Sequence, residues 1–505
     1  MQKYKPYIIY AVSLLILWTV TLKSNYLIGT DIHFEYYFLN LSQVNGWDYT
    51  IPVTYNGNLP VSLVAPFIAN LLHIDGIWLL KIVFPMVFAL TPVLLYLIYK
   101  EYFSEKISLL AVLFFISMPA FFMEISGNAK QMIGETLMVF ALYLIIKKKK
   151  LWMIIGTCIL VVLSHYTMAF LLLAMLCIAI VVLLIKKESV KTLIIASATI
   201  VICGFFYYSW VGEGILMHVL NNQLPINIPF LTVLAKDVSN TPGTVLPISI
   251  DNQLVKMAFG SDFLQVSILG KMFRLLQYTT QILIVIGAIG IVRHERVSLD
   301  KMSYFIALFI ACGVILGLWV VIPSLSGVID VPRLYHVVLI MLSPALVIGG
   351  QYLFKNLKIV LLFITVYFFF TSGAMFELAK AETMDIPYSV AFSNNRMDLG
   401  GTITKDDIVV RDYIKANDLT PIYADWYGLL LLKERFGVAY GDILQIPQYY
   451  IPDGSLVFLT SRNTYDWTIT RWTGVGQREY RSCNDYKIYN MKIIYECGWA
   501  RIWQK

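Results

Sequence analysis

The chain is a series of apolar blocks separated by short polar segments. The blocks run for roughly 15–22 residues, the length that an α-helix needs to cross the hydrocarbon core of a bilayer. Backbone N–H and C=O groups find no water in that core, so each block is predicted to be a helix with internal hydrogen bonds. The eleven predicted spans lie near residues 7–22, 77–99, 107–122, 132–146, 151–164, 167–185, 192–211, 279–292, 302–322, 335–352 and 358–376.

The composition excludes a soluble globular protein. Hydrophobic residues make up 58% of the 505 residues and charged residues only 14%, whereas an average soluble domain is about 25% charged. The mean hydropathy of +0.70 agrees. We therefore predict an all-α polytopic membrane domain over residues 1–376, surrounded by membrane lipids and without a nucleic-acid partner.

Lysine and arginine are distributed unevenly between the loops on the two sides of the predicted spans. One set of loops holds most of them, whereas the opposite short loops hold only Lys23, Lys130 and Arg333. Positively charged loops tend to stay in the cytoplasm, so the N-terminus is predicted to be cytoplasmic. An odd number of spans then places the tail outside, together with the loops at 23–76 and 212–278.

The tail, residues 377–505, is predicted to be an extracytoplasmic α/β domain. Strand-like runs at 421–424 and 455–460 alternate with a helix-like stretch at 406–416. A segment of about 125 residues is long enough to fold alone. Its two cysteines, Cys483 and Cys497, form a disulfide if the tail faces an oxidising compartment. The alternative is two free thiols.

The first outer loop opens with an acidic motif, Asp31-Ile-His33-Phe-Glu35. In an extended chain, all three polar side chains share one face. In a helix, Asp31 and Glu35 share a face at i,i+4 while His33 points elsewhere. Either geometry puts two carboxylates side by side, which raises one pKa or attracts a cation. The alternative is an N-capping aspartate in a solvated loop.

The second outer loop adds Glu124, Lys130 and Glu135. Glu135 falls inside the start of the fourth span, where an ionisable group needs a polar cavity or a partner. Lys130 is one candidate partner. Glu124 is a second acid that faces the first loop.

Two further outer segments carry polar residues near the membrane surface. His165 lies in the short turn between the fifth and sixth spans, and Arg333 and His336 lie at the start of the tenth. A guanidinium beside lipid headgroups suits a phosphate, because its planar fork donates to two oxygens at once. The alternatives are a structural histidine, and an arginine that pairs with Asp330 or extends to lipid phosphate.

Together these residues favour glycosyl transfer from a lipid-linked donor. A carboxylate would deprotonate an acceptor hydroxyl, and an arginine would stabilise the negative charge on a departing polyprenyl phosphate. The acceptor is a glycan, a lipid or a protein. Two alternatives stay open, namely a polymerase or ligase of lipid-linked glycans, and a transporter or flippase of lipid-linked sugars.

The pattern resembles the GT-C superfamily of membrane glycosyltransferases, which includes protein O-mannosyltransferases, oligosaccharyltransferases and the aminoarabinose transferase of lipid A. Asp31-Ile32-His33-Phe34 is similar to the Asp-Glu-x-His-Phe stretch of O-mannosyltransferases, with Ile32 in place of the second acid. The tail has no Trp-Trp-Asp motif. Its nearest string, at 424–427, is a poor substitute, which argues against an N-glycosylating enzyme.

The resemblance implies an inverting mechanism with Asp31 as base and Arg333 on the lipid phosphate. The residues predicted to be catalytic are Asp31, Glu35 and Glu124, and those predicted to bind substrate are His33, Lys130, His165, Arg333 and His336. Oligosaccharyltransferases of this group hold a divalent metal with acids from the first two loops. The same three acids would hold Mg²⁺ or Mn²⁺ here, whereas O-mannosyltransferases need no metal.

Overall fold

The computed structural model describes residues 4–51, 53–211, 263, 267–295, 303–321, 331–381, 392, 403–437, 441–448, 450–474 and 477–505. The first part of this described chain is helical, and a small sheet region follows near the C-terminus. The helices of the first part are α1 Lys5–Thr21, α2 Asp31–Asn45, α3 Pro60–Leu72, α4 Gly76–Tyr99, α5 Glu105–Ile116, α6 Ala129–Ile146, α7 Leu151–Ser164, α8 Tyr166–Ile185, α9 Lys191–Trp210, α10 Ile268–Glu295, α11 Ser303–Val321, α12 Val331–Phe354, α13 Leu357–Thr371 and α14 Ala374–Leu378.

The protein is a membrane protein with transmembrane helices. Six helices in the described ranges are long and apolar enough to cross a bilayer, namely α4, α6, α8, α9, α10 and α12. Each of the eleven predicted spans coincides with a helix. Several of these are short, such as the 12 residues of α5, which rise only about 18 Å. The number of helices that cross the membrane therefore stays a prediction.

The two long predicted loops contain helical structure that the hydrophobic pattern did not indicate. The loop at 23–76 includes α2 and α3. The predicted end of the loop at 212–278 is eleven residues too late, because α10 begins at Ile268. Lys271 and Arg274 interrupt the apolar run there without interrupting the helix. Residues 212–262 lie outside the described ranges.

Helices α10 and α12 pack closely because glycine lies at their contact. A Cβ atom on Gly287 would collide with the carbonyl of Ala345, and one on Gly349 would collide with the carbonyl of Leu283. Small residues let two membrane helices approach until their backbones touch. This contact sets the spacing between α10 and α12, and the first turn of α12 carries Arg333.

The two ends of the helical bundle hold different ion pairs. At one end, Lys5 Nζ lies 2.9 Å from Glu105 Oε1, and Lys147 pairs with Glu101. The other end holds the start of α2, the start of α6 and the start of α12. The assignment of the lysine-rich end to the cytoplasm stays a prediction.

The C-terminal region contains a mixed sheet with helices, as its sequence pattern predicts. Its helices are α15 Lys405–Ala416, α16 Trp426–Phe436 and α17 Ser461–Asp466, and its strands are β1 Ile422–Ala424, β2 Ile443–Gln445, β3 Leu456–Leu459, β4 Thr468–Gly474, β5 Gln477–Ser482, β6 Lys492–Cys497 and β7 Ala500–Gln504. Five strands form a sheet in the order β2-β1-β3-β7-β6, and β4 pairs with β5. Strand β1 is parallel to β2 and β3, whereas β7 is antiparallel to β3 and β6. The boundary at residue 377 and the extracytoplasmic placement stay predictions.

The two tail cysteines are free thiols in the structure. Cys483 is buried among the side chains that pack on one face of the sheet, and Cys497 is half-buried at the end of β6. Of the two alternatives for this pair, the structure has the unbridged one.

Candidate functional site

Helix α2 brings the acidic motif of the first loop to the start of α6. The motif is helical, so Asp31 and Glu35 face one side and His33 faces another, as the helical alternative predicts. A close backbone contact fixes this position. Gly29 has a φ of +130°, and a Cβ placed on it would lie 2.6 Å from Gly127 Cα. Beside this contact, Ile32 N donates to the carbonyl of Gly127 at 3.1 Å.

Asp31 is the centre of a cluster of charged side chains. Its Oδ2 atom accepts hydrogen bonds from Asn128 Nδ2 at 3.0 Å, Lys130 Nζ at 3.1 Å and Arg333 Nη1 at 3.3 Å. These three partners come from the start of α6 and the first turn of α12. Arg333 therefore pairs with Asp31, an aspartate about 300 residues away in the sequence. Asp330, the partner considered from the sequence, lies outside the described residues.

Glu35 caps the N-terminus of α6. Its Oε2 accepts from Ala129 N at 2.6 Å and its Oε1 accepts from Lys130 N at 3.2 Å. Free N–H groups at a helix start carry a partial positive charge, so a carboxylate there is stabilised. Lys130 Nζ also lies 3.4 Å from Glu35 Oε1, so its ammonium group bridges the two acids of α2.

The pKa values of the two acids shift in opposite directions because their partners differ. Burial alone would raise the pKa of Asp31, but the nearby charges of Lys130 and Arg333 outweigh it and hold that pKa below its ordinary value. For Glu35, burial dominates and the charge of Asp31 adds to it, so its pKa is raised. The sequence prediction that two adjacent carboxylates would raise one pKa therefore applies to Glu35. Asp31 is the acid whose ionised form is stabilised by the nearby cations.

Tyr55 and His165 adjoin this cluster. The ammonium of Lys130 lies 3.9 Å from the centre of the Tyr55 ring, within the range of a cation–π interaction. His165 begins α8, and its Nδ1 accepts from Thr167 N at 3.1 Å, so the proton of the neutral ring is on Nε2. Burial lowers the pKa of His165 well below its ordinary value, and the charges of Lys130 and Arg333 lower it further. This histidine is a neutral donor.

His33 contacts the C-terminal region rather than the Asp31 cluster. Its Nδ1 lies 2.6 Å from Glu434 Oε2, and Arg411 Nη1 donates to Glu434 Oε1 at 2.9 Å. All three side chains are largely buried. Tyr37, on the same helix, lies against Gly437. The tail region therefore packs directly on the helix that carries Asp31.

The remaining predicted residues lie around this cluster. Glu124 ends a helical turn at Ala120–Glu124 and is half-buried, four residues before Asn128. His336 is fully buried one turn into α12, where its Nδ1 lies 3.2 Å from Glu135 Oε1. The sequence suggested Lys130 as the partner of Glu135. The structure corrects this, because Lys130 extends to Asp31 and Glu35 instead.

The donor set does not fit a divalent metal. Among the described residues, no group of three or more His, Cys, Asp or Glu side chains is arranged to hold a metal ion. Both oxygens of Glu35 accept hydrogen bonds from backbone N–H groups, and the negative charge of Asp31 is already balanced by two cations. A hard cation needs several free oxygen ligands. A metal therefore takes no part in the proposed chemical steps.

Several residues of the site escaped prediction from the sequence. Asn128 and Tyr55 contact the cluster, and Glu434 and Arg411 meet the opposite face of α2. Asn128 caps α6 by accepting from Gln131 N, and an asparagine before an apolar helix is a recognisable cap. The tail residues carry no comparable pattern. Asp425, from the string at 424–427, is buried and caps α16 by accepting from Gly428 N at 2.8 Å.

The Gly29–Gly127 contact leads to a first prediction. Gly29→Ala should destabilise the protein by about 2 kcal/mol, because alanine is strained at a positive φ and its methyl group would displace the loop before α6. The measurement is thermal unfolding in detergent. The matched control is Gly156→Ala, since a Cβ there meets no atom within 4 Å. Equal melting temperatures of Gly29→Ala and Gly156→Ala would show that the close contact of Gly29 with Gly127 is not needed for stability.

Comparisons with known proteins indicate a family but no activity. A family model described as "Predicted membrane protein (DUF2206)" matches residues 149–503, more than half of the chain. No curated protein matches. Among solved structures, the apo oligosaccharyltransferase of Archaeoglobus fulgidus is similar, with a TM-score of 0.43 and 12% sequence identity over 86% of this chain. The match spans only 64% of that protein, and so remote a likeness carries no argument about activity.

Proposed function

We propose that this chain, which belongs to the DUF2206 family of predicted membrane proteins, is a GT-C-like glycosyltransferase. It transfers a sugar from a polyprenyl-phosphate donor to an acceptor hydroxyl at the extracytoplasmic surface. One observation carries the proposal: an ionised aspartate held between two cations, with Lys130 Nζ at 3.1 Å and Arg333 Nη1 at 3.3 Å from Asp31 Oδ2. The arrangement supplies a base and a phosphate site next to each other.

Each member of the cluster has a role in an inverting transfer. Asp31 accepts the proton of the acceptor hydroxyl while the hydroxyl oxygen forms a bond to the anomeric carbon of the sugar. The bond from that carbon to the phosphate oxygen breaks, and its electron pair leaves with the polyprenyl phosphate. Arg333 and Lys130 stabilise the charge that develops on this leaving group. His165 Nε2–H is a further donor on the same side.

Competition for the two cations links donor binding to the strength of the base. In the structure both cations contact Asp31 and keep its pKa low, which makes it a weak base. A donor phosphate offers more negative charge and draws Arg333 and Lys130 toward itself. The pKa of Asp31 then rises toward its ordinary value, because fewer positive charges stabilise the ionised form. The base therefore becomes effective only when the donor is in place.

The proposed orientation follows from charge. The lysine-rich end of the bundle faces the cytoplasm by the positive-inside rule, and the Asp31 cluster lies at the other end. Lys81, a buried lysine near the start of the second predicted span, is consistent with this arrangement. Its ammonium donates to the carbonyls of Ser24 and Tyr26, in the segment that leads from α1 to Asp31.

One observation favours a second candidate, a transporter of lipid-linked sugars. Glu135 and His336 are both fully buried between membrane helices, and ionisable pairs at such depth are typical of transport pathways. Glu135 lies five residues beyond Lys130 on α6, which is about 7 Å along a helix axis. The pair thus adjoins the Asp31 cluster closely enough to belong to it.

Incubation of the purified protein with a panel of radiolabelled polyprenyl-phosphate sugars tests the proposal. We expect transfer of one labelled sugar to a water-soluble or lipid acceptor, at equal rates with and without EDTA. The Asp31→Asn variant is the negative control. Movement of intact labelled lipid across proteoliposome membranes, with no sugar released from the phosphate, would contradict transfer and support the transporter.

A further inference from the structure

The pair formed by Glu135 and His336 is the most deeply buried pair of ionisable side chains near the site. Neither side chain is exposed, and Glu135 Oε1 lies 3.2 Å from His336 Nδ1. The two atoms are in contact, although the approach lies outside hydrogen-bonding angles. The imidazole also packs on the ring of Phe115, with centroids 4.2 Å apart.

The pair connects to the Asp31 cluster along α6. Gln131 Nε2 donates to Glu135 Oε2 at 3.3 Å, and Gln131 N donates to Asn128 Oδ1 at 3.2 Å. Asn128 in turn donates to Asp31. A continuous series of hydrogen bonds therefore joins Glu135 to the proposed base.

The pair connects to the same cluster along α12. Arg333 and His336 are three residues apart on one helix, so they lie on neighbouring positions of one face. Arg333 contacts Asp31 at one end of this face, and His336 contacts Glu135 at the other. The two helices are thus joined twice, once through Asp31 and once through the buried pair.

We propose that Glu135 and His336 are positioning residues that hold Arg333 at the distance needed to bind the donor phosphate. A buried contact between an acid and an imidazole adds little net stability but favours one arrangement of the elements it joins. Here it fixes α12 relative to α6, and so fixes Arg333 relative to Lys130. The inference rests on the proposed function, in which these two cations bind the phosphate.

A double-mutant cycle between Glu135→Gln and Arg333→Ala tests the proposal in the full-length protein reconstituted in lipid nanodiscs. Glutamine keeps the shape of Glu135 and its contact with Gln131 but removes the charge. We expect Glu135→Gln to raise the KM for the donor about fivefold with little change in the KM for the acceptor. In the Arg333→Ala background it should raise the donor KM no further, because its effect acts through Arg333.

The proposal would be overturned if the two substitutions raised the donor KM independently, so that their effects multiplied in the double variant. Glu105→Gln is the matched control, since Glu105 pairs with Lys5 at the opposite end of the bundle. If single variants fail to fold, the exchanged pair Glu135→His with His336→Glu should restore folding and donor KM together. Restored folding without a restored donor KM would assign the pair a purely structural role.

Binding of radiolabelled polyprenyl phosphate, measured on the same variants, separates this inference from the proposed function. A double-mutant cycle calculated from the dissociation constants should show that the two substitutions are not additive, as expected for the donor KM. If that coupling is found but no donor supports sugar transfer, the proposed function is wrong and the positioning role stands. If transfer occurs and the two substitutions act independently on binding, the positioning role is wrong.

Discussion

Asparagine in place of Asp31 is expected to lower the rate of sugar transfer by about a thousandfold, the effect of losing a general base. The amide keeps the size of the carboxylate and an oxygen that accepts from Arg333 or Lys130. It cannot take up the acceptor proton. The protein should still fold, because Glu35 continues to cap α6 and to pair with Lys130. The measurement is the initial rate in isolated membranes, normalised to protein level by immunoblot.

Asp48→Asn provides the matched control for this prediction. Asp48 lies on the same predicted loop and is exposed, and its carboxylate accepts hydrogen bonds from Thr50, two residues away. Its replacement should leave transfer within about twofold of the unmodified protein, as for most surface changes away from a site. Near-normal transfer by Asp31→Asn would remove Asp31 from the mechanism and leave Glu35 or Glu124 as the base to test next.

The hydrophobic pattern predicted the positions of the helices well, because apolar block length is set by the thickness of the membrane. It failed where that constraint is absent. Helix α3, with 13 residues from Pro60 to Leu72, lies inside a predicted loop. The start of α10 was missed because Lys271 and Arg274 lowered the local hydropathy while hydrogen bonding along the helix continued.

Part of the site was predictable because topology constrains it. The start of α2, the start of α6 and the start of α12 were all assigned to one side of the membrane, and Asp31, Lys130 and Arg333 do meet there. The exact pairing was not predictable. Lys130 had Glu135 as a neighbour in sequence, yet its long side chain bridges the two acids of α2 instead.

Contacts between distant segments are the part that sequence reasoning could not supply. His33 and Glu434 are 401 residues apart, and Glu135 and His336 meet only after α6 and α12 have packed. Each of these residues is an ordinary helical residue in its own segment. Only packing of the tail on α2 brings His33 to Glu434, and only packing of the helical bundle brings Glu135 to His336.

Replacement of Lys130 by methionine should have the largest effect on stability. The ammonium lies between Asp31 and Glu35, at 3.1 Å and 3.4 Å, and methionine keeps a similar length without the charge. Removing one member of a buried charge cluster costs about 3 kcal/mol, because the remaining charges are left without compensation. Thermal unfolding in detergent measures this loss. Lys130→Arg, which keeps the charge, is the control and should lose far less.

The same variant should change the pH dependence of transfer. Lys130 helps to hold the pKa of Asp31 below its ordinary value, so Asp31 stays ionised as the pH falls. Without that charge the pKa of Asp31 rises, so the base becomes protonated at a higher pH. The acid limb of the pH–rate profile therefore shifts to higher pH. The stability deficit should shrink as the pH falls, since protonation of the two acids relieves their repulsion. Identical acid limbs for Lys130→Met and Lys130→Arg would mean that Asp31 is not the group that titrates.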